Sequence, residues 1–502
     1  MLLYQKIGFF LGLLIFILIL IFADLDSANP NLTKMAAVAA LMAVWWITEA
    51  IPLAATSLIP LIAFPLLGIL DGEKTAASYI NSVIFLFLGG FLLALAMENW
   101  GLHKRIALKI ITFFGGTPNS IVLGFMAATS FISMWISNTA TAIMMLPIAL
   151  AIITKMENEF GKEKTHNFSV TVMIAIAYSC SLGGICTLIG TPTNLAFVRI
   201  LKIIFPDAPQ IGFGTWMLLG IPIAIIMLLF AAFLLTKVFF KYDKNLSIDK
   251  NFIKEEYKSL GKISFEESSI AILFFTTAML WIFRVDMNLG FMIIPGWERL
   301  FSFSKYLNDG TVAIAMALLL FIIPARKNDD LRKTILDTTV FNKVPWGIIL
   351  LFGGGFALAE GFTSTGLSKF FGLKLQTMTE FSPIIIVVAV ALVITFLTEL
   401  TSNTATAQMA LPIMASVSVA AQMNPLLLMI TATISASMAF MLPVATPPNT
   451  IVFASERLRI LDMAKVGFFM NLFGVIVISL LVYLIGTVLF GLNEFPLWAN
   501  PK

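Results

Sequence analysis

The sequence predicts an all-α polytopic membrane protein with about 11 transmembrane helices, two re-entrant helical hairpins and an inverted-topology repeat. Three observations carry this: an apolar composition, a polar hexapeptide that occurs twice inside uncharged runs, and a constant spacing between matched motifs in the two halves. Hydrophobic residues make up 59% of the 502 and charged residues 12%, about half the share of a soluble domain. At about 20 apolar residues per span, roughly ten to twelve crossings fit, far more than a receptor anchor or a tethered enzyme needs.

In chain order, the apolar run 8–23 is followed by Asp24, Asp26 and Asn29 rather than a small-residue cleavage site. It reads as a retained helix, not a signal peptide. Loop charges set the orientation, because basic loops stay on the cytoplasmic side. The acidic segment 24–34 goes outside, His103-Lys104-Arg105 inside, the lysine-rich 237–262 inside and the balanced 284–309 outside. Arg326, Lys327, Arg332 and Lys333 mark an inside loop, as do Arg457, Arg459 and Lys465. About eleven crossings satisfy this order, with the N-terminus cytoplasmic and the tail 493–502 outside, in a bacterial-type inner membrane.

That count requires that two regions do not cross. Residues 110–154 carry no charge, and the arm after Thr139 has about fifteen residues before Lys155, roughly 22 Å of helix against a ~30 Å hydrocarbon core. The region is therefore read as a hairpin that enters and leaves on one face, with the polar hexapeptide at its tip. A second hairpin, 381–421, enters from the opposite face. The alternative is two ordinary spans joined by a polar turn.

The tips are Ser137-Asn138-Thr139-Ala140-Thr141-Ala142 and, 265 residues later, Ser402-Asn403-Thr404-Ala405-Thr406-Ala407. The same 265 separates Gly89-Gly90-Phe91 from Gly354-Gly355-Phe356 and Pro147 from Pro412. The spacing indicates an internal duplication, and the loop charges make its halves oppositely oriented. Beyond each tip, Gly190-Thr191-Pro192-Thr193-Asn194 and Ala445-Thr446-Pro447-Pro448-Asn449 interrupt a helix. Proline removes a donor and clashes with the preceding turn, and within a bilayer the exposed backbone is tolerable only around a cavity or an ion.

Hydroxyls, amides and half-helix N-termini suit the oxygens of a carboxylate or sulfate. Neither tip nor either broken helix is expected to hold Lys or Arg, so a dianion there needs co-bound cations. Hard oxygen ligands without clustered carboxylates suit a monovalent ion such as sodium better than calcium or magnesium. Cys180 and Cys186, with His103 and His166 beside charges, make neither a metal constellation nor a disulfide framework. The net charge of +4 lies in loops and gives no reason to expect nucleic acid. A membrane enzyme is disfavoured, since the uncharged core shows no nucleophile–base or metal arrangement.

The paired Ser-Asn-Thr tips, the early Trp45-Trp46-Ile47-Thr48-Glu49-Ala50-Ile51-Pro52, and the pattern Ser437, Phe440, Pro443-Val444-Ala445, Asn449, Ile451-Val452 resemble the divalent anion:sodium symporter family, the sodium:dicarboxylate or sodium:sulfate symporters. The resemblance covers nearly the whole chain. It implies a homodimer in which scaffold helices (1–117 and 241–380, the latter with a cytoplasmic loop) hold a transport domain (118–240 and 381–502) that moves as an elevator. It further implies one sodium site from Ser133, Ser137, Asn138 and the Gly190 carbonyl, and a second from Thr398, Thr401, Asn403 and the Ala445 carbonyl. A small dianion would sit among Ser137, Asn138, Thr139, Thr191, Pro192, Ser402, Asn403, Thr404, Thr446 and Pro447. Ser133 and Thr398 are also 265 apart, whereas Ile136 faces Thr401 in the same register.

Glu399, matched by Met134, is the one carboxylate near a tip, and an intramembrane acid is a functional candidate or a paired structural group. Trp45 and Trp46 read as packing or interfacial anchors, and Asn31-Leu32-Thr33 is a short sequon of little weight. The expected function is sodium-coupled symport of C4 dicarboxylates such as succinate, fumarate and malate. A sulfate or citrate carrier, a sodium-independent dicarboxylate exchanger and an anion channel with hairpin pore loops are the alternatives.

Overall fold

The structure, a computed structural model, describes residues 2–242, 246, 250–290, 292–326, 334–374 and 381–500. Of the loop charges used for orientation, Asp243, Lys244, Asp249, Lys327, Arg332 and Lys333 lie outside the described residues, as does the end of the tail at 501–502. The first half holds α1 (Leu3–Phe22), α2 (Pro30–Thr48), α3 (Leu53–Thr56), α4 (Ile59–Leu67), α5 (Gly72–Ala77), α6 (Ser82–Asn99), α7 (Leu102–Phe114), α8 (Pro118–Ser133), α9 (Asn138–Phe160), α10 (Lys162–Gly184), α11 (Pro192–Ile204) and α12 (Phe213–Phe233). The second holds α13 (Lys250–Ser259), α14 (Phe265–Ile282), α15 (Asp309–Ile322), α16 (Trp346–Thr365), α17 (Leu367–Lys374), α18 (Pro383–Thr398), α19 (Asn403–Ala420), α20 (Pro425–Ser435), α21 (Pro447–Phe453), α22 (Ile460–Leu481) and α23 (Thr487–Phe490). Among the described residues nine helices are long and apolar enough to cross a bilayer. The fold is an all-α polytopic membrane architecture.

The duplication survives in three dimensions. Helix starts repeat at 265 residues: Leu102 and Leu367, Pro118 and Pro383, Asn138 and Asn403. The offset falls to 255 at Pro192 and Pro447, because α9 and α10 have 23 residues each while α19 and α20 have 18 and 11, a shortening partly offset by longer connections on either side of α20. The last long helix of each half, α12 and α22, runs into a π-helical turn, Leu234–Phe239 and Val482–Gly486. Proline stands in the first turn of α8, α11, α18, α20 and α21, where its missing N–H is no loss. α10 is buried from Phe168 to its end and α20 along its whole length.

One expectation fails on length. α9 does not stop at Lys155 but continues to Phe160, giving about 34 Å of helix, enough to span. Charge does not end a helix, and Gly161, at φ 87°, is the first residue that reverses the chain. The hairpin reading rests instead on contacts. The turn between α8 and α9 lies beside the break that follows α10, not beside a free helix end: the Ser133 hydroxyl reaches Cys180 O and the Thr187 hydroxyl donates to Met134 O.

The 284–309 connection is less solvent-exposed than its charges suggest. Arg284 is fully buried, pairing with Asp309 at 2.5 Å and Glu298 at 2.6 Å. A two-residue β-hairpin, Met287–Asn288 with Ile293–Ile294, closes the connection.

Close crossings require glycine at Gly89 and Gly354. A Cβ there would lie 2.7 Å from the Ala313 carbonyl carbon on α15 and 2.7 Å from Ser57 O beside α3, respectively. Gly89→Val and Gly354→Val should each destabilise by about 1–3 kcal/mol through overpacking, read as a lowered Tm in detergent. Gly72→Ala, whose Cβ would meet nothing nearer than 3.9 Å, should leave Tm unchanged.

Candidate functional site

The site forms where each hairpin tip meets the break of its own repeat. On α8 the last helical residue, Ser133, places its Oγ 2.7 Å from Asn138 Oδ1 and 2.8 Å from Cys180 O of α10. On α18, Thr398 Oγ1 lies 2.7 Å from Asn403 Oδ1 and 2.8 Å from Ala436 O. The two clusters agree within 0.1 Å across the repeat. A hydroxyl has one proton, so in each cluster three oxygens converge on a single hydrogen, leaving surplus lone pairs that favour a small cation. The Cys180 and Ala436 carbonyls were invisible in sequence, since every residue carries one.

The Gly190 carbonyl and Asn138 both lie against Gly184: a Cβ there would sit 2.6 Å from Asn138 Oδ1 and 3.1 Å from Gly190 O. Ser137 caps α9, its Oγ accepting from Ala140 N at 3.3 Å. Ser402 takes the same N-cap position on α19 without a side-chain cap bond. The Thr401 hydroxyl donates to Leu397 O at 3.1 Å and pairs with the Thr406 hydroxyl. Its first-repeat match, Ile136, has no hydroxyl, so a backbone carbonyl is the one oxygen common to both positions.

Thr139 is half-buried beside the first tip, and Thr404 is buried beside the second. Thr191 and Thr446 are the N-cap residues of α11 and α21, with Pro192 and Pro447 next. Thr191 is 3.4 Å from the Thr193 hydroxyl, and Thr446 Oγ1 accepts from Asn449 N at 3.4 Å. Ala445 is buried, while Pro447 is exposed.

Each break is closed by an asparagine whose role the sequence did not reveal. Asn194 Nδ2 donates to Thr187 O at 2.7 Å and Gly184 O at 3.4 Å. Asn449 Nδ2 donates to Leu442 O at 3.0 Å and Ala439 O at 3.2 Å. Both carbonyl pairs stand in the same 255-residue register. The Thr193 and Ser437 hydroxyls, 2.9 Å apart, link the two breaks.

Glu399 is a paired group. Its carboxylate accepts from Phe440 N at 2.6 Å, Met441 N at 2.9 Å, Leu442 N at 3.1 Å and Asn471 Nδ2 at 2.7 Å. It therefore pins the second tip to the second break, a role taken in the first repeat by the Thr187 hydroxyl on the Met134 carbonyl.

The expectation that the broken helices lack cations is corrected. With no breaker before Pro206, α11 runs to Ile204 and includes Arg199 and Lys202. Arg199, half-buried, lies within electrostatic reach of Glu360 on α16. Its Nε is buried without a hydrogen-bond partner among the described residues. The tips themselves remain free of Lys and Arg.

Beside the first tip lies a cavity of about 300 Å³, lined by Gly90, Phe91, Ser137, Thr139, Ile143 and Gly190 among others. The repeats differ around it. α16 packs against both α11 and α19, but its counterpart α6 makes no such packing with α21 and α9. Gln408, the match of Ile143, is fully buried against Gly355 with neither amide atom bonded among the described residues, whereas Ile143 is 57% exposed.

Comparison with known proteins agrees with this architecture. The family described as "Sodium:sulfate symporter transmembrane region" matches residues 4–492. The sodium-dependent dicarboxylate transporter SdcS of Staphylococcus saprophyticus is 42% identical over 495 residues, covering 97% of this chain and 93% of that protein. SdcS of Staphylococcus aureus is 43% identical over 496 residues, covering 97% and 92%. Two solved structures share the fold. The MtrF efflux pump of Neisseria gonorrhoeae has a TM-score of 0.55 at 15% identity, covering 82% of each chain. The YdaH transporter of Alcanivorax borkumensis has 0.55 at 12%, covering 84% of this chain and 87% of its own.

Asn194→Ala and Asn449→Ala should each cost about 1–3 kcal/mol by leaving break carbonyls unpaired, seen as matched losses of Tm. Glu399→Gln turns an amide NH2 towards backbone donors and removes charge-assisted bonds, so a loss of about 2–3 kcal/mol is expected. Thermal unfolding with an unchanged Tm would contradict the pinning role.

Proposed function

The chain belongs to the sodium:sulfate symporter family of membrane transporters, and from that membership we propose that it is a sodium-coupled symporter of C4 dicarboxylates such as succinate, fumarate and malate. The observation that carries this is the pair of matched oxygen clusters at Ser133–Asn138–Cys180 and Thr398–Asn403–Ala436, each with three oxygens around one proton. Sodium ions held there, with the Gly190 and Ala445 carbonyls and the backbone of Ser137 and Thr401, would supply the positive charge the tips lack. The dianion then binds between the tips, on Asn138, Thr139, Asn403, Thr404 and the α11 and α21 N-termini at Thr191-Pro192 and Thr446-Pro447, whose amides favour carboxylate oxygens. Because the anion needs the cations to be there, binding itself couples the two fluxes. The relatives named as sodium-dependent dicarboxylate transporters support the choice of ion and substrate.

The broken symmetry supports alternating access. α16 seals α11 and α19, while α6 stands off α21 and α9 and leaves the cavity open. With the basic loops cytoplasmic, the open side is the cytoplasmic one, in a bacterial-type inner membrane with the N-terminus inside and the C-terminus outside. Exchanging the roles of α6 and α16 would close this cavity and open its counterpart between α16 and α19. We read the hairpins and broken helices as the moving elevator and the α2, α6, α14, α15 and α16 group as the scaffold of a homodimer, with about eleven crossings in all.

In proteoliposomes, labelled succinate should accumulate under an imposed sodium gradient and not when choline replaces sodium. Asn138→Ala and Asn403→Ala should each reduce uptake more than about a hundredfold, the loss of roughly 3 kcal/mol of binding free energy, with Tm nearly unchanged. Succinate uptake that is indifferent to sodium would refute symport.

The native cysteines are buried, so engineered thiols can be read against a low background. Ile143→Cys should react with a polar thiol reagent in the resting protein and Gln408→Cys should not. Conditions that favour the outward state should reverse the order, by roughly tenfold in rate for a shift of about 1.4 kcal/mol. Equal reactivity of both thiols under all conditions would contradict the elevator.

A further inference from the structure

A second cavity, of about 650 Å³, lies away from the tips between α7 and the segment joining α13 to α14. Arg105, buried on α7, builds its floor. Nε and Nη2 bond the two oxygens of Glu267 at 2.8 and 3.0 Å, Nη1 donates to Gly261 O at 2.9 Å, and Nη2 also reaches Leu260 O at 3.2 Å. The guanidinium is thus neutralised and fully engaged, and its bonds hold the 260–262 backbone against α7.

What remains in the wall is cationic. Lys109, Lys258 and Lys262 line the cavity with Tyr257 and Ile263, and no carboxylate does. Among the described residues these three lysines make no ion pair. Three unpaired ammonium groups around one hollow concentrate anions.

The surrounding surface indicates what carries the anion. Ile106, Lys109, Ile110 and Phe113 follow one another along α7 at helical spacing and make a single stripe leading out of the cavity. Phe113 is 87% exposed, and Ile263 at the rim is 54% exposed. An inorganic anion would fill the hollow and leave that stripe bare. An anion attached to hydrocarbon would occupy both. α7 has the form of a helix that lies in the bilayer interface, with buried apolar residues on one side and lysines on the other.

We propose that this cavity holds the phosphate headgroup of an anionic phospholipid, with its acyl chains along Ile106, Ile110 and Phe113. The lysines supply attraction, and Arg105 supplies a preformed wall. α7 packs against α8, the first arm of the first hairpin, so the lipid would steady the segment from which that hairpin starts. The site does not depend on which substrate the protein carries.

Native mass spectrometry on the delipidated full-length protein tests it, with phosphatidylglycerol, phosphatidylcholine and inorganic phosphate as separate arms. The wild type should retain phosphatidylglycerol far better than phosphatidylcholine. The variant Lys109→Gln/Lys258→Gln/Lys262→Gln should lose roughly a hundredfold in phosphatidylglycerol affinity, about fivefold per lysine, with phosphatidylcholine binding unaltered. Lys109→Gln alone, on an exposed face, should lose about fivefold and keeps the test open should the triple variant not fold. Equal phosphatidylglycerol retention by wild type and Lys109→Gln overturns the proposal. Displacement of the lipid by inorganic phosphate at matching concentration also overturns it, in favour of a free-anion site.

Discussion

Inside a bilayer, every backbone N–H and C=O must find a partner in the protein itself, and the two proline-broken helices are where that demand is hardest to meet. Asn194 and Asn449 meet it by bonding carbonyls across each break at 2.7–3.4 Å and 3.0–3.2 Å. With the breaks held, the half-helix N-termini at Pro192 and Pro447 keep a fixed aim. The tips can then settle against them, through Thr187 in one repeat and Glu399 in the other. The candidate ion clusters are the remainder of this arrangement: lone pairs left over once the compulsory hydrogen bonds are made.

The two repeats solve one problem with different chemistry. A neutral hydroxyl on a carbonyl links tip and break in the first, and a carboxylate gathering four donors does so in the second. The oxygen clusters nonetheless repeat the same distances, because Ser133 and Thr398, Asn138 and Asn403 keep the same register. The symmetry that holds within the clusters fails outside them. Phe352 and Phe356 of α16 are fully buried, while their matches Phe87 and Phe91 on α6 line the open cavity. A duplicated architecture that packs differently in its two halves is the arrangement from which the alternating-access proposal starts.

Much of the site was legible because polar residues are conspicuous in apolar runs. Ser137 to Thr139, Ser402 to Thr404 and the Thr-Pro breaks stood out by that contrast alone, and the 265-residue register paired them. Carbonyl partners such as Cys180 and Ala436 carried no signal, since a carbonyl is common to all residues and its direction is set by the helix end. Glu399 was visible as an intramembrane acid, yet its partners are backbone amides some forty positions away. Length failed as a ground for the hairpin: α9 passes Lys155 without ending, because a lysine near a helix C-terminal end is compatible with helix. The expectation of broken helices without cations overlooked Arg199 and Lys202, because α11 continues to Ile204 and the next breaker is Pro206.

By itself, the sequence determined the membrane environment, the duplication and the identity of the polar groups at the tips, because each depends only on composition and spacing. The tertiary structure alone decided which lone pairs converge, which cations are neutralised, and which side of the pseudo-symmetric pair is open. Those outcomes depend on packing between segments hundreds of residues apart, where α16 packs closely on α11 and α19 but α6 makes no packing of that extent with α21 and α9. Near-identical motifs cannot encode that difference locally.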